Sequence, residues 1–484
     1  MTARRHPGDL RAWLADVEAK GLVKHISGAD SHLEIGIITE INNAEPDPSA
    51  LLFDDIPGSI GRVLTCSASR AATMAAALGL DATSNTELIE QLRGGRLAQW
   101  IATARNETFT WVDDGPVMQN RKTGPAVDLD VLPAPFWREG DGGKYIGTGG
   151  VVITQDPETL QCNAGAYRVM SVDKNHVTVL FASESRHGRQ HKRKYDALGK
   201  RCPIVVSLGH DPLYMILGGT EIPEGVFELD VAGAILGEPA RMVRGPITGL
   251  PIPADAELVI EGWLTDNETH EGPFGEFLGY YASGERQQPI IDVEAVYYRN
   301  DPIVLGSPPG KPPNDLSYYW SVIRSATIHD QMEGAGVPGI TAVWADQVGG
   351  SRQLITVAIK QRYFGHSRQA GFIASQCHGG VYLGRYVVVV DDDINPYDLR
   401  EVMWAVVTRS DPQSDIIVFD KSLGSQADPL NVLYDPNTMF SSRAIIDACR
   451  PYQHLDKFPK VAVSPQSQID ATRAKWAQLW RSPE

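Results

Sequence analysis

Residues 151–181 read VVITQDPETLQCNAGAYRVMSVDKNHVTVLF, and their alternation decides the fold class. Val151 to Thr154 is a β-branched run, Asp156-Pro157-Glu158 is a turn, and Gln161 to Val172 extends again. Asp173-Lys174-Asn175 turns the chain back into His176 to Phe181. Short strands joined by tight Asp/Asn/Pro turns make an antiparallel meander. Ile204 to Leu208, Glu257 to Leu264 and Ile290 to Tyr298 have the same texture, so the middle of the chain reads as a β-barrel or sandwich with helical insertions, the main one between Ser185 and Leu198.

Outward from this centre the period changes. Asp9 caps a helix whose apolar residues Leu10, Trp13, Leu14 and Val17 share one face, and Gly21 ends it. Leu51-Leu52-Phe53 and the Ala-rich stretch from Ala71 to Leu80 complete a small α/β region. On the other side, Tyr386 to Val390 is a wholly apolar strand, and Asn395-Pro396 opens a helix through Val402, Ala405 and Val406. Asp391-Asp392-Asp393 reads as a structural turn between them. A last helix after Pro465 carries Ile469, Trp476, Leu479 and Trp480, which need cover from the chain itself or from a partner subunit. Pro/Asp/Gly-rich stretches before Pro135 and at Gly306 to Pro313 suggest domains at 1–117, 118–310 and 311–484.

Composition narrows the function. The chain has 484 residues, with 60 Asp plus Glu against 44 Lys plus Arg, a net charge of −16 that disfavours nucleic acid as main partner. No run reaches the ~18 apolar residues of a membrane span, and no apolar signal segment follows Met1, so a cytoplasmic protein without membrane attachment is the expectation. Five scattered cysteines without paired spacing indicate reduced thiols.

Chemistry concentrates in the middle. Glu271-Gly272-Pro273-Phe274-Gly275-Glu276 sets two carboxylates about a Gly/Pro turn. Beside an arginine, such carboxylates can have their pKa values driven apart, one ionised and one exchanging a proton; a solvated acidic turn is the other reading. Arg168 lies in an apolar strand and must find an anion, either a structural partner or a substrate carboxylate. Asn163, His187 and Glu228 form a mixed oxygen and nitrogen set suited to Mn or Mg, although His187 among Arg186, Arg189 and His191 also fits a solvated helix face. Asn163 and Arg168 are five apart and would face opposite sides of an ideal strand, so a shared site predicts a bulge at Gly165. Small residues Ala164, Gly165 and Ala166 would let a flat ring approach the backbone.

These residues, with Leu52-Phe53-Asp54-Asp55-Ile56-Pro57-Gly58, Asp173-Lys174-Asn175-His176 and Ile222-Pro223-Glu224-Gly225-Val226, resemble the UbiD family of reversible decarboxylases across the whole chain. The resemblance implies an α+β protein with a central, flavin-reductase-like split β-barrel flanked by N-terminal and C-terminal α/β domains, and a homodimer or dimer-based oligomer joined through the last domain. It implies prenylated FMN, Mn2+ (or Mg2+) and K+, with a flavin prenyltransferase as cofactor supplier and a small unsaturated carboxylic acid as substrate. Arg168, Glu271 and Glu276 match the catalytic network, with Arg168 orienting the carboxylate and Glu276 as proton donor. Asn163, His187 and Glu228 match the metal ligands. Ala164, Gly165, Ala166, Arg186, Gly218, Gly219, Thr220 and His378 complete the cofactor-binding set. An ordinary flavin oxidoreductase on the same barrel and a metal-dependent hydrolase are the alternatives that these residue types leave open.

Overall fold

The computed structural model describes residues 6–181, 186–282, 284–425, 427–434 and 440–480. The first helix, Leu10–Ala19, forms as its spacing predicts: the Asp9 side chain accepts from the Ala12 N–H, and Leu10, Trp13, Leu14 and Val17 are buried. Behind it the strands Val23–Ser27, Ala50–Asp54, Arg62–Thr65 and Ile303–Leu305 form one sheet in that spatial order. The last strand therefore returns from beyond the middle of the chain. Thr110–Val112 likewise pairs with Arg241–Arg244, so the expected boundary at 117/118 is crossed twice by strand pairing.

The centre is a nine-stranded sheet among the described residues, antiparallel throughout. Its path runs Tyr145–Gly147, Val169–Asp173, His176–Val179, Arg286–Tyr298, Leu258–Glu271, Cys202–Gly209, Val151–Gln155, Cys162–Gly165, with Asn120–Thr123 added beside Arg286–Tyr298. Cys162–Gly165 and Val169–Asp173 are separated only by Ala166, Tyr167 and Arg168, yet lie six strands apart along the path. A flat sheet would put them about 29 Å apart, whereas the connection reaches about 14 Å at full extension. The sheet must curl, and it does so around Val152, Val169, Val177, Ile204, Val206, Leu208, Leu258 and Ile260. The alternate residues Val151, Ile153, Val205, Val259 and Tyr297 face outward into a second core shared with the N-terminal helices. Gly262 permits the register shift in the long hairpin, since a Cβ there would lie 2.0 Å from the Asp292 carbonyl oxygen.

The C-terminal part is a five-stranded sheet ordered Ile340–Ala345, Leu354–Ile359, Tyr386–Asp391, Phe440–Ala448, Ile416–Leu423. Tyr386–Asp391 is central and parallel to both neighbours, as its apolar run predicts. The following helix begins later than expected, at Leu399 with Asp398 as its cap, because the Asn395 side chain is used to turn the chain onto the Tyr397 N–H. Asp391 and Asp393 close that turn by ion pairs with Arg409 and Arg450. The terminal helix Gln466–Lys475 has no buried residue, and Trp476 is 45 % exposed; the Trp480 side chain lies outside the described residues. Among the described residues no helix is long and apolar enough to cross a membrane.

Candidate active site

The expected bulge is instead a clean break. Cys162–Gly165 ends, Ala166 donates its N–H to the Gly218 carbonyl at 2.9 Å, and the next strand starts at Val169. Tyr167 folds back on Gly165, where a Cβ would meet its ring at 2.4 Å, so the glycine admits the tyrosine rather than a bulged pair. The break frees Asn163 and Arg168 from strand alternation, and each reaches a different carboxylate.

Arg168 meets Glu271 in a fork: Nε donates to Oε1 at 2.7 Å and one terminal nitrogen to Oε2 at 2.9 Å. Glu271 closes the long strand Leu258–Glu271 and is completely buried, and its Oε1 also accepts from the Tyr145 hydroxyl at 2.8 Å. Phe274 underlies the pair. It stacks on Tyr145 at 3.8 Å between ring centroids, and the Arg168 guanidinium carbon lies 5.2 Å from its own centroid. Glu276 stands at 3.5 Å from the other terminal nitrogen of Arg168 and keeps 19 % of its side chain exposed. That separation is an ion pair rather than a good hydrogen bond, so Glu276 keeps access to solvent or ligand. The loop between the glutamates is held by the Gly142 N–H, which donates to the Pro273 carbonyl at 2.7 Å. A Cβ on Gly142 would lie 1.9 Å from the Gly272 oxygen, so only glycine lets these two segments touch.

The second cluster holds Asn163 and Glu228. The Asn163 amide donates to one Glu228 oxygen at 2.5 Å and the Ala164 N–H to the other at 2.7 Å. Glu228 opens the helix Glu228–Leu236 and is buried, which pushes its carboxyl up to about 7. The Asn163 side-chain oxygen is enclosed and has no hydrogen-bond partner among the described residues. An orphaned amide oxygen beside a buried carboxylate lacking a counter-charge fits a hard divalent cation. His187 starts the helix His187–Ala197, its ring 6.3 Å from that of His191, which bonds Thr154 opposite Asn163 in the sheet. Among the described residues no three His, Cys, Asp or Glu side chains converge as a metal cage. Tyr167 links the regions: its hydroxyl, pushed up to about 12 by burial, meets the Gly188 N–H and lies within electrostatic reach of Arg186 and Glu228.

Three family models tile the chain: the N-terminal, Rift-related and C-terminal domains of 3-octaprenyl-4-hydroxybenzoate carboxy-lyase, UbiD, match residues 14–92, 110–312 and 317–448. The chain belongs to the UbiD family. It is 32 % identical over 462 residues to a phenolic acid decarboxylase of Streptomyces sp. (strain D7), covering 92 % of each. It is 31 % identical over 431 residues to the pyrrole-2-carboxylic acid decarboxylase of Pseudomonas aeruginosa, covering 85 % of each. The UbiD-class enzyme HmfF of Pelotomaculum thermopropionicum, solved with FMN, superposes with a TM-score of 0.83 at 26 % identity, over 97 % of this chain and 100 % of that one. Its evolved dimeric form, solved with prFMN, gives 0.79 at 26 % identity, over 96 % and 98 %.

The other residues expected in this UbiD site are distributed unevenly. Gly218 and Gly219 end the helix Pro212–Gly218 and are pressed from both sides: a Cβ on Gly218 would meet Val151, and one on Gly219 would lie 2.2 Å from the Tyr319 hydroxyl. The Gly219 carbonyl accepts from the Trp320 indole at 2.9 Å, and the Thr220 hydroxyl bonds back to Ile216. Arg186 is exposed at the cap of its helix. His378 is also at the surface, 3.0 Å from Glu221, with both side chains largely exposed. Phe277 lies beside the acid loop, whereas Phe440 is 59 % exposed. Sequence reasoning missed Tyr145 and the stacking role of Phe274. The only available signal for Phe274 was a large apolar residue inside a polar loop, and Tyr145 had none.

Proposed function

We propose that this chain is a carboxy-lyase that removes CO2 from an α,β-unsaturated or (hetero)aromatic carboxylic acid, with prenylated FMN as cofactor. The observation that carries the proposal is the Arg168 fork. Glu271 occupies Nε and one terminal nitrogen, so a single directed edge of the guanidinium is left beside Glu276. That edge orients the substrate carboxylate, and its direction is set before substrate arrives because Tyr145 and Phe274 lock both partners. Glu276, half-withdrawn from Arg168 and partly open, delivers a proton to the carbon that loses CO2. The bound flavin would supply the sink for the electron pair that an sp2 carbon cannot itself accommodate.

Asn163 and Glu228 are assigned to the metal, Mn2+ or Mg2+, with His187 as third ligand, and K+ beside Glu228. Ala164, Gly165, Ala166 and the Gly218-Gly219-Thr220 backbone would face the flavin, with Arg186 and His378 on its phosphate side. In this reading the curled sheet is the split barrel of a flavin-binding domain, and the domains are 1–117, 118–310 and 311–484. The exposed Trp476, with Met403, Trp404 and Val407 on the helix Leu399–Arg409, supports a homodimer through the C-terminal part. A flavin prenyltransferase supplies the cofactor, and the cytoplasm is the compartment.

The test is to incubate the prenylated-flavin-loaded protein with a panel of cinnamic, aromatic and heteroaromatic acids in D2O, following CO2 and deuterium incorporation by mass spectrometry. CO2 release with one deuterium at the vacated carbon is expected. Neither signal from any member would remove the assignment.

A further inference from the structure

One buried cation is left unexplained by this chemistry. Arg352 is only 9 % exposed, and its Nε and one terminal nitrogen are enclosed without a hydrogen-bond partner among the described residues. Its guanidinium has no ion pair among the described residues. Three rings surround it, with centroids at 4.7 Å (Trp320), 4.9 Å (Tyr382) and 5.9 Å (Phe277). Rings stabilise a cation far less than a hydrogen-bonded anion does.

Its neighbours make the deficit larger. Arg324 and Arg186 lie within electrostatic reach and oppose its charge, and the one acidic group nearby among the described residues, Glu221, is engaged with His378 at the surface. Arg324 donates to the Gly379 carbonyl but keeps an enclosed Nε with no partner, and burial together with Arg352 pushes it down to about 9. Arginine stays charged at neutral pH, so two adjacent guanidiniums with free donors form a receptor for an anion.

The position says which anion. Phe277 directly follows Glu276, and the turn that carries Arg352 is pressed onto it: a Cβ on Gly350 would lie 2.7 Å from Leu278 and 3.1 Å from the Phe277 ring. Arg352 therefore borders the proposed proton-donor loop, with the faces of Trp320, Tyr382 and Phe277 around it offering flat apolar surface.

We infer that Arg352, with Arg324 beside it, is a second anion subsite, and that the acid processed here is a flat, doubly acidic molecule. One carboxylate engages Arg168 and leaves as CO2; a second anionic oxygen group is retained in the product and bound by Arg352. This rests on the decarboxylase reading above.

The experiment is calorimetric binding to flavin-loaded protein, which needs no turnover and therefore stands apart from that reading. Cinnamate, 4-methylcinnamate, and 3- and 4-carboxycinnamate are the probes, with wild type and Arg352→Met compared. At least one dicarboxylate is expected to bind wild type about tenfold to a hundredfold more tightly than its monoanionic relatives, the range of a charge-assisted hydrogen bond. Arg352→Met is expected to abolish that preference, keep its flavin, and melt no lower than wild type, since it sheds an uncompensated charge. No preference in wild type, or a preference surviving in the variant, overturns the subsite. Loss of flavin in the variant assigns Arg352 to the cofactor phosphate instead, and a lowered melting temperature assigns it to the fold; either outcome also overturns the proposal.

Discussion

Arg168 and Arg352 are both buried guanidiniums beside the same acid loop, and they stand in opposite electrostatic states. Arg168 is compensated in advance by a completely buried carboxylate, a second one at 3.5 Å, and a tyrosine that fixes the first. Among the described residues Arg352 has rings, like charges and only the already engaged Glu221 around it. The first arrangement builds direction, because a fork whose other nitrogens are occupied can present only one edge. The second builds affinity for something yet to arrive, because burial of an unpaired cation is unfavourable until an anion enters.

The comparison breaks most sharply at Glu276. Glu276→Gln removes the proposed proton donor while leaving the Arg168–Glu271 fork intact, so steady-state formation of the protonated product should fall by about 10²- to 10⁴-fold, with flavin content and melting temperature unchanged. Unimpaired turnover would take Glu276 out of its role.

Glu271→Leu would convert Arg168 into a second Arg352. A buried pair deprived of one partner costs about 3–5 kcal/mol, so chemical denaturation should show a loss of that order, whereas Arg352→Met should show none. Equal losses from both would erase the distinction between the two guanidiniums.

A smaller effect comes from buried groups that escape the problem by shedding charge. His210 is fully buried and pushed down to about 4, so it folds neutral, and the unfolded chain gains a proton below the ordinary value of 6.5. Its contribution to stability is present above pH 6.5 and lost as pH falls to 4. Asp315, buried at the start of the helix Asp315–Gly334, is pushed up to about 6, so its contribution is present below pH 3.8 and lost as pH rises through 6. Each is worth about 3 kcal/mol, and between pH 4 and 6 the two slopes oppose. His210→Gln should therefore become more stable on acidification over that window, and Asp315→Asn less stable, by thermal melting at stepped pH. Parallel slopes in wild type and both variants would show that neither group titrates as its burial requires.

Much of this was legible in the residues. The first helix follows from its cap and apolar spacing, the meander from alternation and turn residues, and the central C-terminal strand from an unbroken apolar run. The acid loop was legible because Gly and Pro forbid regular structure around its two glutamates. The connection from Asn163 to Arg168 was misread as one strand with a bulge. Alternation within a strand is local, whereas the break at Ala166 is imposed by the Gly218 carbonyl fifty-two positions away. Tyr145 and Arg352 were invisible for the same reason: nothing in their own neighbourhoods distinguishes a ring that clamps Glu271, or a guanidinium without an anion, from an ordinary aromatic or surface arginine.

The sequence by itself determined which segments are helix or strand, where the chemistry-bearing loop lies, and the family. These rest on periodicity, turn chemistry and motif, all set over a few residues. The tertiary structure alone decided that a three-residue connection curls a sheet, that Glu271 and Tyr145 converge on one side of Arg168, and that Arg352 is left without a counter-charge. Burial and charge compensation are sums over neighbours that the fold brings together from distant parts of the chain, and no local pattern encodes them.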